Sequence, residues 1–290
     1  VMLRPESHGQ MVATSGEEQR LDVVFPVLHG GFGEDGTIQG LLRLSGVPFV
    51  GAGVLGSAIG MDKDVMKRLL REAGIPVARF LAIRQGTAPS YESVVTSLGS
   101  PFFLKPANAG SSVGVHKVRS ESEYDEALVD AFLYDTKVLL EEYIVGREIE
   151  VSVLGNDQPM ASVPGEIIPT KEFYTYEAKY LDEAGARLEI PAELPEDMVK
   201  RFQSLACQVF QVLECAGLAR VDFFLRENGE ILVNEINTLP GFTARSMYPK
   251  LWEASGLSST DLMTRLIDLA MERTTKEQAL RTTYRSKIKD

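Results

Sequence analysis

The 290-residue sequence is poor in residues that build disulfide and zinc sites, with only two cysteines and three histidines. Two cysteines cannot form a disulfide framework, and no C-x-x-C pair offers the thiolates of a zinc site. We therefore expect Cys207 and Cys215 to be small buried hydrophobic residues in a reducing cytoplasm. No apolar run reaches the roughly 18 residues of a membrane helix, so we expect neither a membrane span nor a signal peptide.

An excess of positive charge is also missing. The chain carries 41 acidic and 30 basic residues, for a net charge of -11. Such an acidic surface repels phosphate backbones, so we expect no nucleic-acid partner. A nucleotide remains compatible with this charge, because a local cluster of Lys and Arg can hold one. The length suits two or three domains of modest size.

The start of the chain predicts a strand–loop–helix–strand unit of the kind found in α/β sheets. An almost wholly apolar run predicts a buried parallel strand over residues 21–28. A glycine-dense loop separates it from a predicted helix over 37–45, and a short strand follows at 47–50. The predicted apolar stripe of that helix comprises Ile38, Leu41, Leu42 and Leu44.

The clearest helix is predicted over residues 62–73, where Asp62 can cap the first turn. The break at Gly60 therefore marks a predicted domain boundary. Residues 272–290 lack a continuous apolar stripe, and we expect the last seven to form a loose tail. Further strands are predicted at 102–104, 113–118, 138–140 and 149–154, a long loop at 173–180 and a helix at 195–216.

The most informative stretch is a hairpin predicted around Asn228-Gly229, which lies between two alternating apolar runs. A two-residue turn there pairs Asp222 with Glu235. The same register pairs Arg220 with Asn237, and the two-residue period places all four side chains on one face. Two carboxylates directly opposite each other have Cβ atoms about 5 Å apart and repel, so this arrangement costs stability.

A hard divalent cation removes that repulsion. Asp, Glu and Asn supply only oxygen ligands, which Mg²⁺ and Mn²⁺ prefer. The alternative is a solvated hairpin face on which Arg220 partly neutralises the acids. One extra residue in the turn would shift the register, so the metal interpretation depends on the length of the turn.

Three lysines are candidates for phosphate binding. Lys105 precedes a loop of small residues whose backbone N–H groups can approach an anion. Lys63 lies in the first turn of the predicted helix, where a positive charge opposes the helix dipole. That placement indicates a role elsewhere, although a solvated surface lysine fits equally well. Lys179 lies in the aromatic loop, where an ordinary surface charge is the alternative.

Two acids and a histidine are further candidates. Glu141 ends a strand and can accept a hydrogen bond from an adenine amine, and Glu148 can accept one from a ribose hydroxyl. Ordinary acids at a strand edge are the alternative for both. His29 opens the glycine loop after a predicted strand, where α/β sheets bind ligands; a loop histidine without a ligand is its alternative.

A series of motifs in order along the chain resembles the D-alanine–D-alanine ligases, a family with the ATP-grasp fold. The motifs are Val27-Leu28-His29-Gly30, Gly33-Glu34-Asp35-Gly36-Thr37, Met61-Asp62-Lys63, Lys105-Pro106, Gly110-Ser111-Ser112-Val113-Gly114, Gly146-Arg147-Glu148, Lys179-Tyr180, Arg220-Val221-Asp222 and Asn234-Glu235-Ile236-Asn237-Thr238-Leu239-Pro240-Gly241. Each motif is moderately specific, and the series from about Asp22 to about Arg273 is highly specific.

The resemblance implies a fold of the α/β and α+β classes, in which two α+β subdomains hold ATP between them. We expect a truncated N-terminal α/β domain at 1–60 and a central ATP-grasp subdomain at 61–142. A C-terminal ATP-grasp subdomain at 143–290 would carry the metal site and the tail.

The resemblance also implies roles for individual residues. The nucleotide would be bound by Lys63, Lys105, Glu141, Glu142, Tyr143, Glu148, Phe173, Lys179, Phe224 and Asn234. Two Mg²⁺ ions, with Mn²⁺ possible, would be held by Asp222, Glu235 and Asn237. The amino-acid substrates would be bound by His29, Gly241, Ser246 and Met247. The catalytic residues would be Arg220, Ser111, Tyr180 and His29, with Arg220 at the oxyanion of the tetrahedral intermediate.

The implied reaction joins two D-alanines through an acylphosphate for peptidoglycan synthesis, in a homodimeric cytoplasmic enzyme. One departure is clear, since no stretch matches the family's N-terminal glutamate that holds the first substrate. Three alternatives therefore stay open: a D-alanyl-D-lactate or D-alanyl-D-serine relative, another ATP-grasp carboxylate–amine ligase, and an ATP-binding module that no longer catalyses. Tyr180 favours the dipeptide-forming type.

Overall fold

The computed structural model describes residues 2–3, 10–12, 18–110, 113–169, 186–243 and 245–281. Its helices are α1 Thr37–Ser45, α2 Val54–Met61, α3 Lys63–Glu72, α4 Tyr91–Leu98, α5 Glu121–Ala131, α6 Glu196–Val212, α7 Met247–Ala254 and α8 Ser259–Gln278. Its strands are β1 Met2–Leu3, β2 Gln10–Val12, β3 Glu18–Arg20, β4 Phe80–Arg84, β5 Phe102–Pro106, β6 His116–Val118, β7 Lys137–Glu142, β8 Arg147–Gly155, β9 Met160–Ala161, β10 Gly165–Pro169, β11 Ala186–Glu189, β12 Gly217–Leu225 and β13 Ile231–Asn237.

A four-stranded antiparallel sheet has the order β4-β7-β5-β6. Helices α4 and α5 cover one face, where Val94 and Tyr124 pack with Phe102 and Leu104. The predicted strands at 102–104 and 138–140 are confirmed, whereas the strand predicted from residue 113 begins only at His116. The opposite face carries Lys105 and Glu141 beside the apolar side chains of Phe103 and Leu139.

The larger sheet has the order β11-β10-β8-β12-β13, with β9 pairing with the outer part of β8. Helix α6 covers one face, because Phe202 and Phe210 pack against Ile149, Val151 and Phe223. The strand predicted at 149–154 and the helix predicted at 195–216 are both confirmed, with α6 ending at Val212. The side chains between these core positions on β8 and β12 point to the opposite face.

Helix α3 joins the two sheets. Its Met66 and Leu70 belong to the core of the larger sheet, while the backbone N–H of Lys63 donates to Ala107 at the end of β5, at 3.0 Å. The predicted cap is confirmed, since Asp62 accepts from the N–H groups of Asp64 and Val65, each at 3.1 Å.

The N-terminal strands differ from the prediction. The run 21–28 forms only an isolated parallel bridge between Val24 and Phe49, and its last residues are exposed. Helix α1 has the predicted bounds, but Leu41 and Leu44 of its predicted stripe face solvent and Leu42 alone is buried. Among the described residues the run has no strand partner beyond this bridge, so its apolar character alone does not produce a buried strand.

A third cluster lies at the end of the larger sheet. Tyr248 and Trp252 of α7 and Leu266 of α8 pack against Leu154 and Leu218. Helix α8 continues to Gln278 although residues 272–290 lack a continuous apolar stripe, and the tail predicted for the last seven residues lies outside the described residues. None of the helices in the described ranges combines the length and apolar character of a membrane-spanning segment.

Candidate functional site

In the half of the β12–β13 hairpin that lies away from the turn, the register is as predicted. Asp222 pairs with Glu235, and Arg220 pairs with Asn237. The predicted two-residue turn, however, is wrong. Leu225 pairs with Ile231, and Arg226 N–H donates to Glu230 at 2.9 Å, so three residues form the loop. The third, Gly229, has φ 80°, the left-handed conformation that such a loop requires.

A β-bulge restores the register that the longer turn would have shifted. Asp222 pairs with Glu235 but the next residue, Phe223, pairs with Val233, so Asn234 has no partner position on β12. The bulge adds the one residue that compensates for the turn. It also keeps both Val233 and Ile236 in the core, although they are three residues apart.

Three carboxylates lie in a row across the larger sheet. Asp222 on β12 pairs with Glu150 on β8 as well as with Glu235 on β13. The Arg220 guanidinium donates to both oxygens of Asp222, each at 2.7 Å, and its Nε lies 3.0 Å from Glu150. Burial opposes the charged form of Arg220, but Asp222 and Glu150 outweigh it and raise its pKa. Glu150 was missed by sequence reasoning, although it alternates with Glu148 along one strand.

The face is therefore neither a solvated surface nor a closed metal cage. The side chain of Asp222 is only 13% exposed, whereas that of Glu235 is 33% exposed. Within the described ranges, no three His, Cys, Asp or Glu side chains converge as a ready-made metal cage. Asp222 binds Arg220 with both oxygens, but each carboxylate oxygen keeps a second lone pair. The donors Asp222, Glu235 and Asn237 thus fit a Mg²⁺ ion that takes further ligands from phosphate and water.

Lys63 is directed into this face. Its Nζ donates to the carbonyl of Ala109 at 2.8 Å and lies 3.3 Å from Glu235. The alternative of a solvated surface lysine is wrong, because Lys63 is buried. These contacts with β13 and with the loop after β5 explain why a lysine stands in the first turn of α3 despite the helix dipole.

Lys105, Glu141 and Tyr143 share the face of the smaller sheet that α4 and α5 do not cover. Glu141 contacts Lys105 through one oxygen and Lys67 through the other, the latter at 2.7 Å. Burial alone would raise the pKa of Glu141, but the charges of Lys105 and Lys67 lower it below the ordinary value. Lys67 was missed by sequence reasoning, although its position four residues after Lys63 places both on one side of α3.

Tyr143 and Glu142 lie in different surroundings. The Tyr143 ring has Phe103 at a centroid distance of 5.8 Å and the Lys117 ammonium 4.0 Å from its centre. The side chain of Glu142 points to the other face of β7, where it accepts two hydrogen bonds from the Arg79 guanidinium, at 2.8 and 2.9 Å. The structure therefore brings Tyr143 together with Lys105 and Glu141, and separates the Glu142 side chain from them.

Two other residues predicted to bind nucleotide are neighbours on the larger sheet. Glu148 on β8 pairs with Phe224 on β12, so both lie on the face that carries Arg220. Phe224 also packs near Ala78, Ile144 and Leu232. Asn234 is the bulged residue one position before Glu235, and it is half-buried.

The residues predicted to bind amino acids converge in part. A Cβ placed on Gly241 would lie 3.8 Å from the His29 ring and 2.8 Å from the Ser246 hydroxyl. The Ser246 Oγ accepts from the N–H of Thr243 at 3.0 Å. Met247 does not join them with its side chain, which is buried against Ile167 and Leu251. Any substrate contact of Met247 must therefore come from its backbone.

Glu34 is a further candidate that sequence reasoning left without a role. Its Oε2 accepts from the Gly30 N–H at 2.5 Å. Burial raises the pKa of this carboxyl and the nearby charge of Glu235 raises it too, against the opposing effects of the Gly30 hydrogen bond, His29 and Lys63. Glu34 thus hydrogen-bonds to the loop that contains His29 and is close enough to Glu235 for their charges to interact. The predicted site residues Ser111, Phe173, Lys179 and Tyr180 lie outside the described residues.

Comparison with known proteins covers nearly the whole chain. A family model described as D-ala D-ala ligase C-terminus matches residues 69–268, and one described as D-ala D-ala ligase N-terminus matches residues 3–52. The D-alanine–D-alanine ligase of Oceanobacillus iheyensis is 55% identical over 282 residues, which cover 96% of this chain and 77% of that protein.

Two solved structures are also similar. The D-alanine–D-alanine ligase from Coxiella burnetii has a TM-score of 0.83 and 40% identity, covering 93% of this chain and 75% of that one. The VanG D-Ala:D-Ser ligase from Enterococcus faecalis has a TM-score of 0.79 and 39% identity, covering 88% of this chain and 74% of that one. With its ATP-grasp fold and these matches, the chain belongs to the D-alanine–D-alanine ligase family of ADP-forming, ATP-using ligases.

Proposed function

We propose that this chain joins two D-alanine molecules with the conversion of ATP to ADP and phosphate, a reaction that supplies peptidoglycan synthesis. The observation that carries the proposal is the convergence of Arg220, the Asp222–Glu235 pair and Lys63 on one face of the larger sheet. Such a face combines acidic oxygens for a metal with cations for phosphate and for a developing oxyanion.

The proposed chemistry has two steps. The carboxylate of the first D-alanine takes the γ-phosphoryl group of ATP and becomes an acylphosphate. ADP leaves in this first step. The amine of the second D-alanine then attacks the acyl carbon and loses a proton, the bond between that carbon and the phosphate oxygen breaks, and inorganic phosphate leaves with that oxygen. Arg220 uses its Nε and one amino group for Asp222, so its other amino group is proposed to stabilise the oxyanion of the tetrahedral intermediate.

The metal is part of this proposal. Asp222, Glu235 and Asn237 would hold Mg²⁺, whose chemical contribution is to neutralise charge on the transferring phosphoryl group. Lys63 and Lys105 would bind phosphate oxygens, because both lie at the edge of the faces that carry the acids. Lys179 is proposed for the same task, and Ser111 and Tyr180 for closing the site over the first substrate.

The adenosine part is assigned to the smaller sheet and its neighbours. Glu141 and Tyr143 would flank the adenine, Phe173 and Phe224 would pack near it, and Glu148 would accept from a ribose hydroxyl. Asn234 and the backbone of Glu142 complete the proposed nucleotide site. His29, Gly241 and Ser246 would hold the amino acids, which is supported by the position of the His29 ring and the Ser246 hydroxyl on either side of the place that a Cβ on Gly241 would take.

The proposed domain division is 1–60, 61–142 and 143–290, and the proposed assembly is a homodimer. The two sheets, built from residues 80–142 and 147–237, support the division between the second and third domains. Size-exclusion chromatography with light scattering tests the assembly.

The direct test is a coupled assay of ADP release with Mg²⁺, ATP and D-alanine, with the dipeptide identified by mass spectrometry. We expect ADP release that depends on D-alanine and yields D-alanyl-D-alanine. L-alanine is the matched control, and D-serine and D-lactate test the second substrate. ATP binding without amino-acid-dependent turnover would contradict the proposal, and turnover with a different amino acid only would replace D-alanine as the substrate.

A further inference from the structure

A buried cluster of charge lies behind the proposed nucleotide site. Lys67 is 0% exposed and its Nζ lies 2.7 Å from Oε1 of Glu141, which is itself 3% exposed. The other oxygen of Glu141 contacts Lys105. One carboxylate is therefore shared by two lysines that come from different elements, α3 and β5.

The charges in this cluster do not cancel. Two ammonium groups and one carboxylate leave a single positive charge among buried groups, a situation that strongly favours an incoming anion. Of the two lysines, only Lys105 has a partly exposed side chain, at 12%. Lys105 can therefore turn to a phosphate, whereas Lys67 has no route to solvent and stays with Glu141.

Lys67 already occupies Oε1 of Glu141, so an adenine amine would have to use Oε2, the oxygen that Lys105 contacts. We propose that Lys67 is a positioning residue: it keeps Glu141 in place and ionised when the phosphates of ATP draw Lys105 away, so that the released Glu141 oxygen accepts a hydrogen bond from the adenine amine. This inference rests on the proposed nucleotide site. It couples recognition of the phosphates to recognition of the base.

The physical reason lies in the cost of a buried carboxylate without a cation. Once Lys105 has left, Lys67 is the remaining positive charge that contacts Glu141, and without it burial would raise the pKa of Glu141. A protonated Glu141 can donate a hydrogen bond. The site would then also bind a base that has a carbonyl in place of the amine. Burial is the largest effect on Lys67 and lowers its pKa, as does the charge of Lys105, whereas Glu141 and, more weakly, Glu235 of β13 oppose this change. Phe80 on the neighbouring strand β4 pairs with Glu141 and contributes no charge.

The test measures how strongly the protein distinguishes ATP from inosine triphosphate, which has a carbonyl at the position of the amine. Dissociation constants for both nucleotides are determined by isothermal titration calorimetry at pH 8 and pH 6. The variants are Lys67→Met, which removes the charge, and Lys67→Arg, which retains it. Arg147→Met is the matched control, because Arg147 pairs with Glu166 on the other face of the larger sheet.

We expect the unaltered protein to prefer ATP by about tenfold or more at both pH values, as a hydrogen bond to a charged group implies. Lys67→Met should reduce this preference to within about threefold at pH 6, with partial recovery at pH 8 as Glu141 ionises again. Lys67→Arg and Arg147→Met should keep the preference. Equal loss of affinity for both nucleotides in Lys67→Met would show a merely structural lysine and overturn the inference, as would a lack of preference in the unaltered protein.

A second variant keeps the test decisive if Lys67→Met does not fold. Glu141→Gln places an amide that can both donate and accept, so the preference for ATP should again fall to within about threefold. A preference that persists in Glu141→Gln would overturn the inference. Because all of these measurements concern binding, they are separate from the D-alanine-dependent turnover that tests the proposed function.

Discussion

Arg220 and Asp222 form a two-pronged ion pair in which both nitrogen–oxygen distances are 2.7 Å. The two residues lie on the same face of β12, and Glu150 on β8 contacts the same guanidinium at 3.0 Å. The proposed oxyanion group and the proposed metal ligand are therefore one rigid unit. A change to either residue alters the position of the other as well as its own contacts.

Arg220→Ala should lower the kcat of ADP release by about 100-fold or more, because an oxyanion donor is lost. The KM for ATP should change far less, since the phosphates are assigned to lysines. Steady-state kinetics with D-alanine measures both constants, and Arg147→Ala serves as the control for losing an arginine from an ion pair. Equal losses in kcat and in ATP affinity would mean that Arg220 only binds nucleotide.

Glu235→Gln should abolish turnover at ordinary Mg²⁺ concentrations, because an amide is a weaker ligand for a hard cation. Titration of Mg²⁺ and of Mn²⁺ in the ADP assay measures the effect, with circular dichroism to confirm that the fold persists. Glu230→Gln is the matched control, since Glu230 lies on the same hairpin and its carboxylate pairs with Arg226 at the turn. Normal metal dependence in Glu235→Gln would remove this residue from the metal site.

Gly241→Ala should raise the KM for D-alanine while leaving the KM for ATP unchanged. The added methyl group would lie 2.8 Å from the Ser246 hydroxyl and 3.8 Å from the His29 ring, within the space assigned to the amino acid. Gly53→Ala is the control, because nothing lies within 4 Å of a Cβ at that position. An unchanged KM for D-alanine in Gly241→Ala would place the amino-acid site elsewhere.

Deletion of Asn234 should leave Asp222 opposite Glu235 and should change the free energy of unfolding, measured by urea denaturation, by less than about 2 kcal/mol. Asn234 is the extra residue of the bulge, so without it Glu235 follows Val233 directly and stays opposite Asp222, while Ile236 stays in the core. Asn234→Ala is the control, because it retains the extra residue and removes only the side chain. A loss of more than about 3 kcal/mol in the deletion, but not in Asn234→Ala, would show that the hairpin needs the bulge itself.

The hairpin shows how far local reasoning extends. Alternating apolar residues around Asn228-Gly229 were enough to pair Asp222 with Glu235. The assumed turn was one residue too short, and the bulge at Asn234 corrected the difference. Neither irregularity has a clear sequence signal, because the length of a turn and the position of a bulge depend on which residues the neighbouring core accepts.

The site shows a similar division. Lys63 was identified by its unfavourable place in a helix. Lys67 was missed, because its partner Glu141 is distant in sequence and a helical lysine without a known partner is indistinguishable from a surface residue. The apolar run 21–28 was expected to form a buried strand, yet within the part of the chain that the structure describes it makes one isolated bridge, between Val24 and Phe49. An apolar run becomes a strand only where a partner strand can satisfy its backbone groups.

By itself the sequence determined the Asp62 cap of α3, the alternating faces of β8 and β12 and the order of the family motifs. All of these depend on residues that are close together along the chain. Only the tertiary structure decided which charges meet: Glu150 with Arg220, and Lys67 with Glu141 and Lys105. Such pairs join residues from separate elements, and their protonation follows from burial and from the charges packed beside them.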